Sequence, residues 1–280
     1  MTLREAIVVG AERLEGEDAR RDAQLLLLHT LEIARTVLFT EPERTLSAAE
    51  QAAYEAAIAR RAAGEPVQYI TGQQEFYGLM LKVSPAVLIP RPETELLVEA
   101  VLGRVDGDKL LRIVDVGTGS GAIAVALAYK LPMAVVTAVD LSEAALAIAR
   151  ENAATHGLAE RVRFLFSNLL KAVEGEEFEA VVSNPPYVPD GDRESLARQV
   201  RDFEPETALF AGADGLDIYR RLVPQAFTVL KPGGLLAMEF GYGQRDALAA
   251  LMRDWDDVEF LDDLQGIPRV VLARKPMRDL

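Results

Sequence analysis

Ile113-Val114-Asp115-Val116-Gly117-Thr118-Gly119-Ser120-Gly121 is the stretch that decides how this chain folds. An apolar run ends in three glycines at alternate positions, and residues 122–131 continue as a second apolar run. A buried strand that stops at glycines and restarts as a helix is the first turn of a βα unit. Glycine is needed there because a side chain blocks close approach of a ligand to the main chain. A dinucleotide turn spaces its glycines Gly-x-Gly-x-x-Gly and holds a pyrophosphate on the helix N-terminus. Here the spacing is Gly-x-Gly-x-Gly, and Asp115 stands two residues before the first glycine. S-adenosylmethionine has no phosphate, and a carboxylate can balance its α-ammonium directly or through water. Asp115 suits that ligand better than an anion, although the loop taken alone leaves both ligands open.

Outward from this turn, strands and helices alternate. Strands are predicted at 111–116, 134–139, 161–166, 178–183 and 234–240, and helices at 121–131, 142–156, 214–229 and 244–253. The stretches 258–261 and 269–273 read as a terminal hairpin. Repeated βα units predict an α/β fold, a doubly wound Rossmann-like parallel sheet covered on both faces, here with a C-terminal antiparallel hairpin. Residues 1–63 differ. Ala, Leu, Glu and Arg dominate them, apolar residues recur at a helical period in 18–33, and Ser47 to Glu50 forms a capping box. They predict a small helical bundle. Residues 66–91 hold Gly72, Gly78, Pro85 and Pro90 around β-type stretches at 75–77 and 79–83, and read as a hairpin linker. Pro92 favours a helix start and opens one through about residue 102. The expected parts are therefore 1–65 (helical), 66–91 (linker) and 92–280 (α/β).

Bulk properties narrow the chemistry. The chain has 280 residues, no cysteine and two histidines, His29 and His156, in no metal-ligand spacing. Thiol nucleophiles, disulfides and cysteine-ligated metals are excluded, and no metal is expected. A formal charge of −14 argues against nucleic acid as the main partner. No apolar run reaches the roughly 18 residues of a membrane span, and no secretory signal is apparent. A cytoplasmic, monomeric enzyme is expected.

Two further positions carry chemistry. Asp140 closes the second strand, where an acid can accept from both ribose hydroxyls of an adenosine cofactor, or merely cap the next helix. Asn184-Pro185-Pro186-Tyr187 follows the fourth strand. Two prolines cannot extend a central strand but make a stiff turn. An amide or exocyclic nitrogen is a poor nucleophile because its lone pair is delocalised. Its NH2 group offers two donors, which the Asn184 side-chain oxygen and the Pro185 carbonyl can accept. Held so, the lone pair is aimed at an activated methyl group and the developing positive charge is stabilised. Tyr187 offers a face against which a planar amide can pack.

At these residues the sequence resembles the release factor glutamine methyltransferase family, also called the HemK family, over nearly its whole length. The stretches that carry the resemblance are 66–72, Glu75-Phe76-Tyr77-Gly78, Leu88-Ile89-Pro90-Arg91-Pro92-Glu93-Thr94-Glu95, 115–121, 184–187, Phe203-Glu204-Pro205, Asp214-Gly215-Leu216 and 263–269. The resemblance implies a class I methyltransferase sheet with S-adenosylmethionine as cofactor and S-adenosylhomocysteine as product. It implies that class 1 peptide-chain release factors are the substrates, methylated on the glutamine of their Gly-Gly-Gln loop. It further implies that Asp115, Gly117, Thr118, Gly119, Ser120, Gly121, Asp140, Leu141, Asn168, Leu169 and Asn184 contact the cofactor. The substrate glutamine would meet Asn184, Pro185, Pro186 and Tyr187, with Arg91 nearby. The family often has an acid followed by a bulky residue near the adenine. Here the pair is Asn168-Leu169, and Asn168 accepts only through an uncharged oxygen. Phe76 and Tyr77, on the hairpin, are candidates to cover the cofactor or simply to pack. Glutamine methylation of a ribosomal protein and amino-group methylation of a nucleic-acid base remain the competing readings.

Overall fold

The computed structural model describes residues 1–277. Two units emerge: Met1–Gln73 together with Ala197–Phe203, and the remainder of the described chain.

The first unit is built on α1 (Leu3–Glu12), α2 (Ala19–Leu31), α3 (Val37–Thr40), α4 (Ala48–Ala62) and α5 (Val67–Thr71). Ser47 and Glu50 form the expected capping box, and Thr2 with Glu5 forms a second one. Such caps contribute about 1 kcal/mol each. Leu3, Ala6, Leu26, Leu27, Tyr54 and Ile58 meet in one buried cluster. The Tyr54 hydroxyl lies 3.1 and 3.2 Å from the carbonyl oxygens of Ala6 and Ala23, so it bridges α1 and α2. A Cβ on Gly10 would fall 2.1 Å from that hydroxyl, so the glycine admits the ring. The short helix α5 falls where the sequence pattern reads as linker. It spans little more than one turn, from Pro66 to a left-handed Gly72, too few residues to show a period.

A hairpin follows, β1 (Gln73–Phe76) and β2 (Leu79–Lys82), which belongs to the second unit from Gln74 onward. Its turn residues, Tyr77 and Gly78, both have positive φ, 54° and 76°, as the tight turns that match strand twist require. Asn152 fastens it: its Oδ1 accepts from Lys82 N at 2.7 Å, and its Nδ2 lies 3.0 Å from Lys82 O and 2.8 Å from Ser120 O. Pro92–Thr94 forms a 3₁₀ turn before α6 (Glu95–Leu102).

Then follow β3 (Leu111–Val116), α7 (Ala122–Lys130), β4 (Ala134–Asp140), α8 (Glu143–Thr155), β5 (Val162–Phe166), β6 (Phe178–Ser183), α9 (Arg198–Phe203, in the first unit), α10 (Asp217–Val229), β7 (Leu230–Glu239), α11 (Arg245–Leu251), β8 (Asp256–Asp262) and β9 (Pro268–Arg274). The seven-stranded sheet runs β5-β4-β3-β6-β7-β9-β8. Its first five strands are parallel and β9 is antiparallel to both neighbours. Side chains on β3 alternate: Ile113 joins a core cluster with α6 and α7, while Val114 and Val116 join one with α10 and α11. The sheet is thus covered on both faces, as expected for the fold class. β7 starts four residues earlier than the pattern suggests: Leu230 already pairs with Phe178, and the register then shifts across Pro232-Gly233-Gly234 before Leu235 pairs with Ala180. The chain leaves β3 for β4 and β5 on one side and returns to β6 on the other. That reversal opens a crevice at the carboxyl ends of the strands, where such sheets take ligands.

Candidate active site

Every parallel strand delivers a functional residue type at its carboxyl end: the glycine loop after β3, Asp140 on β4, Asn168 after β5, Asn184 after β6 and Glu239 on β7. The first four line one cavity of about 510 Å³.

At one end lies the glycine loop. Gly117 and Gly119 have φ of 71° and 56°, and a Cβ on either would meet no protein atom within 4 Å. Conformation, not packing, demands glycine at both. Gly121 is different. Its φ is 81° and an added Cβ would lie 3.0 Å from the Ala149 Cβ, so it lets α8 approach and does not line the cavity. Asp140 accepts from Gly119 N at 2.8 Å and Ser142 N at 2.9 Å, which ties the loop to the end of β4. The cap of α8 is Ser142 itself. Burial pushes the Asp140 carboxyl above its ordinary range, against those backbone N–H groups.

Asp115 sits behind the loop, fully buried. Its Oδ2 accepts from Thr118 Oγ1 at 2.6 Å and Ala124 N at 3.2 Å, while Oδ1 is buried without a partner. Burial pushes this carboxyl up to about 7, and the nearby Asp140 charge adds to the rise. An unpaired buried carboxylate oxygen is costly unless a ligand or water meets it.

After β5, Ser167 Oγ donates to Leu169 O at 2.6 Å and holds Leu169 at a left-handed φ of 54°. Such a conformation costs about 1–2 kcal/mol in a non-glycine residue. The Asn168 oxygen already accepts from Arg221 at 2.5 Å.

At the other end, Asn184, Pro185 and Pro186 line the cavity, and Tyr187 packs behind them. Asn184 Nδ2 donates to Thr94 Oγ1 at 3.0 Å, and Thr94 Oγ1 donates to Glu239 Oε2 at 2.6 Å. Tyr187 is seated by two glycines. A Cβ on Gly215 would fall 2.2 Å from the Tyr187 carbonyl, and one on Gly241 would fall 2.9 Å from its ring. Arg91 also stands on the cavity wall, with its guanidinium 2.5 Å from buried Glu204.

Of the residues expected to form a site, Gly117, Thr118, Gly119, Ser120, Asp140, Leu141, Asn168, Leu169, Asn184, Pro185, Pro186 and Arg91 come together around the cavity. Asp115, Gly121 and Tyr187 stand behind its wall. Phe76 and Tyr77 do not cover it: Phe76 is in the core, and Tyr77 binds Glu95 through its backbone N and Glu99 through its hydroxyl. The wall segment on that side is Ala86 to Leu88 and Pro90 instead. Sequence reasoning missed Glu204, Thr94 and Glu239 as site residues. Glu239 had a signal, since it ends an apolar strand as Asp140 does.

These features define the class. Residues 92–201 match the family described as Methyltransferase small domain. The fold is shared with the hMettl16 catalytic domain solved with a MAT2A 3'UTR hairpin, at a TM-score of 0.59 and 18% identity over 80% of this chain and 82% of that one. It is shared as well with the T. thermophilus 16S rRNA N2 G1207 methyltransferase solved with AdoMet and guanosine, at a TM-score of 0.55 and 20% identity over 72% of this chain and 49% of that one. Residues 5–72 match the family described as PrmC N-terminal domain. Release factor glutamine methyltransferases of Koribacter versatilis and Moorella thermoacetica are 52% and 46% identical to this chain, over 99% and 98% of both partners. The Coxiella burnetii enzyme of that name is 43% identical over 91% of this chain and 92% of its own. The chain belongs to the release factor glutamine methyltransferase family.

Proposed function

We propose that the enzyme transfers a methyl group from S-adenosylmethionine to the side-chain amide nitrogen of the glutamine in the Gly-Gly-Gln loop of class 1 release factors. The observation that carries this reading is the fixed Asn184 amide. Its Nδ2 donates to Thr94, so Oδ1 is left as an acceptor, and the Pro185 carbonyl of the next residue offers a second one. Two acceptors match the two hydrogens of a carboxamide NH2.

The residues present fit the cofactor. The unpaired Asp115 oxygen answers an α-ammonium through water or a ligand atom reaching past the loop, Gly117 and Gly119 keep the floor open, and Asp140 lines the cavity where ribose hydroxyls would lie. S-adenosylmethionine supplies an electrophilic methyl group. Asn184 Oδ1 and the Pro185 carbonyl orient the amide, leaving its lone pair free on the remaining side, and stabilise positive charge as it forms on nitrogen. The proton becomes acidic only as the new bond forms and passes to water, so no strong base is required. Tyr187 stays neutral, because burial and the Glu239 charge both push its hydroxyl up. We assign docking of the release factor to the helical unit and place the enzyme in the cytoplasm as a monomer. Among the described residues no helix is long and apolar enough to cross a membrane.

The test is transfer of labelled methyl to a purified release factor. Label is expected on the intact factor and not on one whose Gly-Gly-Gln glutamine is alanine. Label that survives this substitution, or that goes only to a ribosomal protein or a nucleic acid, overturns the proposal.

A further inference from the structure

An asparagine amide can present either its oxygen or its nitrogen to a ligand, since the two ends have nearly the same shape. Asn184 alone therefore does not distinguish a carboxamide from a carboxylate. Something must fix which end faces the cavity, and the chain Glu239–Thr94–Asn184 does so.

Ionised, the Glu239 carboxylate accepts hydrogen bonds and cannot donate them. Glu239 Oε2 lies 2.6 Å from Thr94 Oγ1, so the single hydrogen of that hydroxyl is spent on Glu239. Only lone pairs remain on Thr94 for Asn184, and the group they meet at 3.0 Å must be the NH2. The Asn184 oxygen is thereby turned away from Thr94.

Glu239 is itself held. The Tyr187 hydroxyl lies 3.5 Å from Oε1, and the Tyr219 hydroxyl donates to the Glu239 carbonyl at 2.9 Å. Glu239 is 2% exposed, and Arg269, whose charge tempers its burial, is paired with Asp263 at 3.2 Å. A buried carboxyl is expensive, and an apolar residue at the end of β7 would pack there at less cost. The acid is explained if its acceptor-only character is used.

We propose that Glu239 and Thr94 form a polarity relay that locks the Asn184 amide as an acceptor and so selects glutamine over glutamate at the reacting position. The proposal rests on the reading above that Asn184 Oδ1 and the Pro185 carbonyl receive the NH2 group. A glutamate there would set carboxylate oxygens against two fixed acceptors, leaving all of them unpaired. If Asn184 were free to turn over, its NH2 would meet that carboxylate and the distinction would fade. Glu239 and Thr94 are positioning residues in this scheme.

The experiment measures binding of a release factor and of its Gln→Glu form at the target position, both in the presence of S-adenosylhomocysteine and at about pH 8, where Glu239 is ionised despite its burial. Thr94→Val keeps the shape of threonine and removes the hydroxyl. It is expected to lower the Gln-over-Glu preference by roughly tenfold, as sites that lose a matched buried hydrogen bond do. Affinity for S-adenosylhomocysteine should stay within about twofold, because the contacts at that end are untouched. Thr94→Ser should restore the wild-type preference, which a role in packing alone would not require. Glu239→Gln, the second arm should Thr94→Val fail to fold, places one NH2 in the chain and should shift the preference in the same direction. A preference unchanged in both Thr94→Val and Glu239→Gln, or lost equally in Thr94→Ser, overturns the relay. Because the readout is binding, a wild-type enzyme that shows the Thr94-dependent preference but transfers no methyl strikes the proposed chemistry and leaves the relay standing.

Discussion

The two ends of the cavity are built by different means. The glycine end is shaped by backbone: positive φ at Gly117 and Gly119, a left-handed Leu169, and an Asp140 carboxylate clamping two main-chain N–H groups. The Asn-Pro-Pro end is shaped by side chains from distant parts of the sequence, with Thr94, Asn184 and Glu239 linked in a row. Backbone can cradle a ligand of fixed shape with few directed side chains. A chain of directed hydrogen bonds can choose, but only if every member is in place.

If the ends are separate in this way, substitutions should separate too. The largest effect is expected from Asn184→Ala, which removes one acceptor from the reacting amide. Turnover should fall by about 10²–10³, the usual loss for one donor or acceptor aimed at developing charge. Affinity for S-adenosylhomocysteine, read by calorimetry, should change little. Next comes Asp140→Ala, which should weaken S-adenosylhomocysteine roughly ten- to a hundredfold through the loss of charge-assisted hydrogen bonds. The turnover of the bound enzyme should be largely kept. A reversal of these two patterns would erase the distinction between the ends.

Gly121→Ala tests a smaller point, that the third glycine serves the fold. It places a Cβ in a left-handed residue and 3.0 Å from Ala149, so a loss of about 1–3 kcal/mol in unfolding free energy is expected. Denaturant melts should show it, and the folded fraction should bind S-adenosylhomocysteine as before. Weakened binding at unchanged stability would instead return Gly121 to the ligand site.

The smallest effect is a proton. Asp115 and Glu239, one buried carboxyl at each end, are both pushed up to about 7, chiefly by burial. Their folded values lie above the unfolded ones, so the folded state holds extra protons between about pH 4 and 7. These two groups therefore favour folding at acid pH, and that contribution is lost as pH rises through 7. A cationic ammonium near Asp115 lowers its value again. Cofactor binding near pH 6 should then release a fraction of a proton, visible as a dependence of the calorimetric enthalpy on the buffer's ionisation heat. The release should vanish in Asp115→Asn and persist in Glu239→Gln. Release that depends on Glu239 instead would assign the ammonium to the wrong end.

The same contrast explains how much was legible in the sequence. The alternation of strands and helices could be read because a buried strand and an amphipathic helix carry local periods. Gly117, Gly119, Asp140 and Asn184-Pro185-Pro186 could be read because each marks a turn at a strand end. The short α5 and the early start of β7 could not, since one has too few residues for a period and the other passes through Pro232-Gly233-Gly234. Gly121 carried the right residue for a different reason, contact with Ala149 across two helices. Phe76 and Tyr77 were candidates to cover the cofactor only because the register of the hairpin against α6 and α8 is a tertiary fact. Thr94 and Glu239 lie 145 positions apart, and no local pattern joins them.

The most direct test of the central claim is tandem mass spectrometry of the tryptic Gly-Gly-Gln peptide from a release factor incubated with S-adenosylmethionine and either wild-type enzyme or Asn184→Ala. One methyl group is expected on the glutamine side-chain nitrogen with the wild type and almost none with the variant, although the variant still binds S-adenosylhomocysteine. A methyl group on another residue, or equal methylation by the variant, would contradict it.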